Sequence, residues 1–137
     1  MPQIIASRIR TPDGTVLQSR HRHDYVTHTD KITGEEYMID GGTAYFRTSV
    51  NKVPAEDISV YMSDRHGKRR EAFCWGTRGK DGRQPLVFKP LKDLDTDHIE
   101  AILETQYHIQ PWTRELFEYE LEYRERHLSR NTYARIQ

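Results

Sequence analysis

Hydrophobic and polar residues follow two different periods along this chain. Up to about residue 90 the apolar positions come in short β-prone runs separated by turn residues. Residues 4–9 form one such run, and Thr11-Pro12-Asp13-Gly14 follows it, with Pro at i+1 and Gly at i+3 of a type I turn. Residues 15–18 are then the returning arm of a hairpin. Residues 24–29 and 36–39 flank the loop DKITG and predict a second hairpin. Asp40-Gly41-Gly42 breaks the chain, and residues 44–47 resume as a strand or a short helical turn. Residues 53–57 read as a connector, and 59–62, 72–75 and 86–89 as further short strands.

The last third changes period. In DTDHIEAILETQYHI, Ile99, Ile102, Leu103, Gln106 and Tyr107 recur at helical spacing, and Asp97 with Glu100 gives a start signal. Pro111 suits the first position of a second helix, where its missing N–H costs nothing. That helix carries Trp112, Leu116, Phe117 and Leu121 and is expected to end near Leu128, with residues 129–137 frayed. The fold class predicted is α+β: an antiparallel β-sheet in the first two thirds, about 4–90, capped by a C-terminal helical hairpin, about 96–128, in one domain spanning 1–137.

Composition narrows the function classes. Hydrophobic content is 35% and charged content 31%, so the core is modest and association with further copies is an expected source of buried area. Formal net charge is zero, which argues against binding long nucleic acid. The charge is nonetheless segregated. Residues 1–92 carry 16 Lys/Arg against 11 Asp/Glu, whereas residues 93–137 carry 5 against 10. A single cysteine, Cys74, precludes an intramolecular disulfide and a cysteine zinc knuckle. No apolar run approaches the roughly 18 residues of a membrane span, and a cytosolic protein is expected.

Three stretches invite chemistry. In HRHD, His21, His23, Asp24 and the later His28 read as a metal set, opposed by the neighbouring Arg20 and Arg22; a solvated strand face, with Arg22 able to meet phosphate, is the alternative. In IDGGTAYFR, Gly41-Gly42 fits a tight turn or a backbone anion nest, and Arg47 is a phosphate-fork candidate. In FCWGTRGKDGRQPLVF, Phe73 and Trp75 alternate toward one strand face and Arg78, Lys80 and Arg83 follow on a glycine-spaced loop. Aromatics that stack a purine beside cations that hold phosphate are the parts of a nucleotide pocket. Core aromatics and a solvated hairpin are the alternative. No P-loop, nucleophile elbow, CxxC or HExxH occurs, so neither a cofactor nor a metal is expected. Acid–base chemistry through His98 or His23 stays open.

The ordered segments IIASRIRTPDGTVLQSRHRHDYVTH, YMIDGGTAYFR, FCWGTRGKDGRQPL and LKDLDTDHIEAILETQ resemble the bacteriophage anti-Thoeris sponges, over most of residues 4–126. The resemblance implies an antiparallel sheet capped by two C-terminal helices, and a homo-oligomer from dimer to hexamer. It implies a protein that works in the cytoplasm of the infected bacterium. There it would bind a cyclic ADP-ribose isomer made by a TIR immune enzyme, or a cyclic oligonucleotide, and sequester it without cleavage. Arg47, Phe73 and Asp81 are the ligand contacts it implies, joining Arg22, Trp75, Arg78 and Lys80 from the residue reading. The competing classes are a phosphodiesterase-like phage enzyme and an inhibitor that binds a host protein.

Overall fold

The computed structural model describes residues 2–79 and 81–136, with side chains as far as His127. The chain divides into two compact units, Met1–Trp75 and Gly76–Gln137.

The first unit is built on two hairpins. Strands β1 (Ile4–Arg10) and β2 (Val16–Ser19) pair antiparallel with Arg10 opposite Val16. The TPDG turn between them closes through Gly14 N–H to the Thr11 carbonyl, 2.9 Å, as its sequence predicts. The other edge of β1 pairs with β6 (Glu56–Asp57) and, past a register shift, with β7 (Val60–Tyr61). The second hairpin joins β3 (Val26–Thr29) to β4 (Glu36–Asp40), and β5 (Arg47–Thr48) extends it. Ile9, Leu17, Tyr37 and Ile39 form the core, with Val26 and Ala55 packed on it. The Tyr37 hydroxyl, carried into this core, donates to the Val53 carbonyl.

A helix the hydrophobic pattern does not announce, α1 (His66–Ala72), follows β7. Its buried positions are His66, Arg69 and Ala72, so it has no apolar stripe. Arg69 instead donates to the Met62 carbonyl at 2.9 Å, and its Nη2 lies 3.0 Å from His66 Nδ1. The Gln18 amide fixes the end of α1 by donating to the Ala72 carbonyl at 2.8 Å.

Strands β8 (Cys74–Thr77) and β9 (Val87–Pro90) form a two-stranded ribbon that leads into the second unit. A 3-10 turn, Leu91–Asp93, precedes α2 (Thr96–Thr105) and α3 (Pro111–Ile136). Arg114, near the start of α3, donates to the Leu103 carbonyl at the end of α2. Arg124 reaches Thr96 Oγ1 at the start of α2, so the helices run antiparallel as a helical hairpin. Leu91, Leu94, Ile99, Ile102, Leu116 and Phe117 make this core. Helix α3 runs to Ile136, past the expected end near Leu128, so the frayed tail expected over residues 129–137 is helical through Ile136. The fold class is α+β, as expected, with antiparallel strands followed by C-terminal helices; among the described residues the strands are distributed over three small sheets and α1 is a further helix.

Candidate functional site

The glycine-spaced loop between β8 and β9 is held by its own groups. Gly79 (φ 82°) and Gly82 (φ 72°) occupy the left-handed region that favours glycine. Gly79 N–H donates to Thr77 Oγ1 at 3.2 Å, Gln84 N–H to the Arg78 carbonyl at 2.9 Å, and Arg83 N–H to Asp81 Oδ1 at 3.1 Å. Asp81 therefore spends one carboxylate oxygen on shaping the loop. Arg78 and Asp81 are exposed, and Lys80 lies outside the described residues.

This loop borders a hollow of about 200 Å³ lined by Thr77, Gly79, Gln84, Val87, Lys89 and, from the entrance to α2, Asp95 and His98. A second hollow of about 230 Å³ shares Gly79 and His98 and adds Asp97 and Ala101. His98 stands in the first turn of α2, where the N–H groups lack intrahelical partners, and Asp95 at the N-cap makes no side-chain cap bond. A cation on β9, an imidazole and an amide thus surround one concavity. Lys89 and Gln84 escaped the sequence reading because nothing in their local pattern marks them. Only strand pairing turns Lys89 toward the same hollow as the glycine loop.

The other predicted residues lie in the first unit. Arg22 sits over the Tyr45 ring, 5.9 Å from its centroid, in cation–π geometry. Arg47 Nη2 donates to Asp40 Oδ2 at 2.7 Å, so its fork is already engaged by a buried carboxylate. The loops carrying them pack tightly. Gly42 N–H donates to Ser19 Oγ at 2.8 Å, Ser19 Oγ donates to the Asp24 carbonyl at 2.7 Å, and Ser7 Oγ donates to the Gly42 carbonyl. Gly41 N–H goes to Asp40 Oδ1 at 2.9 Å. Both glycine N–H groups are thereby used internally, which favours the tight-turn reading of IDGG over an anion nest. Phe73 is 6% exposed and belongs to the core, so stacking on its ring would need the core to open; Trp75 is half-buried.

The histidines also separate. His28 does not join His21 and His23; its Nε2 lies 2.8 Å from Asp13 Oδ2, across the tips of the two hairpins. Burial raises the Cys74 thiol above its ordinary range, which makes it a poor nucleophile. No family model matches this chain, and neither the curated proteins nor the solved structures contain a significant match to it.

Proposed function

We propose that the protein binds and sequesters a cyclic ADP-ribose-type signalling nucleotide on behalf of a bacteriophage, withholding it from a TIR-based bacterial defence without cleaving it. The ligand class comes from the resemblance described above. The structural observation that supports it is the hollow beside the glycine loop, where Lys89, His98 and Gln84 converge next to the exposed Arg78. A lysine and an imidazole suit phosphate oxygens, and an amide suits the polar edge of a base. At about 200 Å³ the hollow is smaller than the roughly 300–1,000 Å³ of drug-sized ligand sites. A second copy of the chain would supply the missing walls, in keeping with the homo-oligomer proposed with this reading.

Sequestration needs affinity and no transition-state machinery, and no described residue of the hollow is a serine or cysteine nucleophile. Hydrolysis is the second reading, favoured by one observation: His98 borders both hollows, with Asp95 on one and Asp97 on the other. One experiment separates the readings. The protein is incubated with a cyclic ADP-ribose isomer, freed of unbound ligand, and heat-denatured, and the released material is analysed. Intact ligand supports sequestration, altered ligand supports hydrolysis, and no ligand removes both in favour of a host-protein inhibitor.

A further inference from the structure

We propose that the seam between β5 and β6 takes an extended peptide segment of a partner protein, basic and apolar in alternation, as an added strand. The two strands end the two sheets of the first unit: among the described residues β6 pairs with β1 alone and β5 with β4 alone. A hollow of about 250 Å³ opens between them. Its floor includes the core residues Ile9 and Tyr37, and its walls include Phe46, Thr48 and Val50 from β5 and its flanks and Asp57 from β6.

The backbone leaves hydrogen-bonding capacity at both free edges. Successive residues of an antiparallel strand point their N–H and C=O groups to opposite edges. Ser49 N–H donates to the Met38 carbonyl at 3.1 Å, so the backbone groups of Thr48 point away from β4. Ile58 N–H donates to the Arg8 carbonyl at 3.0 Å, so those of Asp57 point away from β1. Among the described residues these groups take no other strand as partner. A free strand edge of this kind is a template for a further strand.

The side chains set the chemistry of the occupant. Thr48 lies opposite Ile39 and Asp57 opposite Ile9, so both turn toward the core face, where the hollow is. Val50 is 101% exposed and Phe46 36%, which leaves apolar surface unburied at the mouth. The hollow is smaller than the roughly 300–1,000 Å³ of a drug-sized ligand site and fits an inserted apolar side chain. Asp57 is the one carboxylate in the lining, which holds no Lys or Arg. Its Oδ1 accepts from Ser59 N–H at 3.0 Å, and its Oδ2 has no partner among the described residues. Residues 35–57 carry five Asp/Glu against two Lys/Arg, inside a region of opposite balance, and Arg47 is already engaged by Asp40. That local charge selects a basic partner. The seam is independent of the nucleotide reading, since none of these residues lines the hollow beside the glycine loop.

The test uses the full-length protein and two capped heptapeptides, KVKVKVK and its acidic counterpart EVEVEVE. Sedimentation velocity first fixes the oligomeric state of the wild type and of Val50→Lys. In heteronuclear NMR, KVKVKVK should saturably shift the amide signals of residues 46–50 and 56–58 and slow hydrogen exchange at the Thr48 or Asp57 N–H, and EVEVEVE should do neither. Asp57→Asn, which keeps an oxygen for the Ser59 N–H, should weaken KVKVKVK binding about ten-fold. Val50→Lys, at a fully exposed position where folding is not at stake, should weaken it as well. No saturable shift, an equal response to both peptides, unchanged exchange at both amides, or wild-type affinity in both variants overturns the proposal. So does a wild-type oligomer that Val50→Lys dissociates, which would make the seam an interface between copies of this chain.

Discussion

The side chain of Asp30 accepts a hydrogen bond from the backbone N–H of Asp13 at 2.8 Å, joining the turns of two hairpins that are 17 residues apart in sequence. Asp13 returns the link by accepting from Lys31 N–H and facing His28. The two hairpins are thus tied at their tips by ionised carboxylates as well as by the apolar core beneath them.

That tie should make the fold acid-sensitive. The Lys31 N–H, then His28, Thr15 and Thr11, hold the Asp13 carboxyl far below its ordinary range. Burial pushes Asp30 up, but the N–H groups of Thr33 and Asp13 outweigh it and the net shift is downward. A carboxyl that titrates lower in the folded than in the unfolded state stabilises the fold fully above its unfolded pKa of about 4. The contribution is lost as pH falls through the folded value. The urea midpoint of the wild type should fall steadily below about pH 4. Asp13→Asn should start from a lower midpoint at neutral pH and show a flatter acid limb. Parallel limbs for the two proteins would remove the clasp from the explanation.

The Gly42 position tests how closely the IDGG and HRHD loops are fitted. Its φ is +54°, and a Cβ there would lie 2.7 Å from the His21 carbonyl carbon. Gly14 has φ +90° but no atom within 4 Å of such a Cβ, so Gly14→Ala isolates the backbone cost, about 1–2 kcal/mol. Gly42→Ala should cost clearly more, because the His21 backbone must move as well. Chemical denaturation of the two variants makes the comparison, and equal losses would mean that the loops are not in contact in solution.

Much of this framework is legible in the sequence, and the reasons for the remainder are specific. TPDG declares its turn because Pro12 and Gly14 occupy positions their backbones require, and Ile99 to Ile102 and Leu116 to Phe117 declare helices through apolar spacing. Helix α1 stays hidden because it buries His66 and Arg69 through mutual and backbone hydrogen bonds, which no hydrophobic period reveals. Asp13, His28 and Asp30 stay hidden as a group because hairpin pairing, and no local motif, brings them together. Arg47 is legible as a cation, but its commitment to Asp40 is not.

Glu120 and Arg124 offer the clearest test of the second unit. Glu120 is 0% exposed, and Arg124 Nε meets its Oε2 at 2.6 Å while the same guanidinium donates to the Leu91 carbonyl and Thr96 Oγ1. Removing one member of a buried pair leaves a desolvated charge and costs about 3–5 kcal/mol. Arg124→Ala should therefore be severely destabilising in urea melts. The double variant Glu120→Leu/Arg124→Met should recover part of the loss, since it removes the buried carboxylate together with the guanidinium that faces it. A double variant no better than the single one would shift the weight to the two hydrogen bonds from Arg124 to Leu91 and Thr96.

The ligand hollow is best probed away from Arg47 and Phe73. Arg47→Ala would expose the buried Asp40 carboxylate without its partner, and Phe73→Ala would open a cavity in the core, so both confound affinity with folding. Lys89 and His98 carry no such debt among the contacts described, which makes Lys89→Ala and His98→Ala cleaner. If Lys89 meets a phosphate oxygen, losing that charge-assisted contact should cost about 1.5–3 kcal/mol, roughly ten- to a hundred-fold in affinity. Trp75→Ala should cost about 1–3 kcal/mol if its ring stacks a base. Lys52→Ala, on a loop remote in sequence from the hollow, is the charge-matched control and should bind as the wild type does. Calorimetry with a cyclic ADP-ribose isomer reads all four, with circular dichroism confirming that each is folded. Wild-type affinity in both Lys89→Ala and His98→Ala would detach ligand binding from this hollow. A selective loss in Trp75→Ala alone would then leave the stacking ring, and not the cations beside the glycine loop, as the feature that holds the nucleotide.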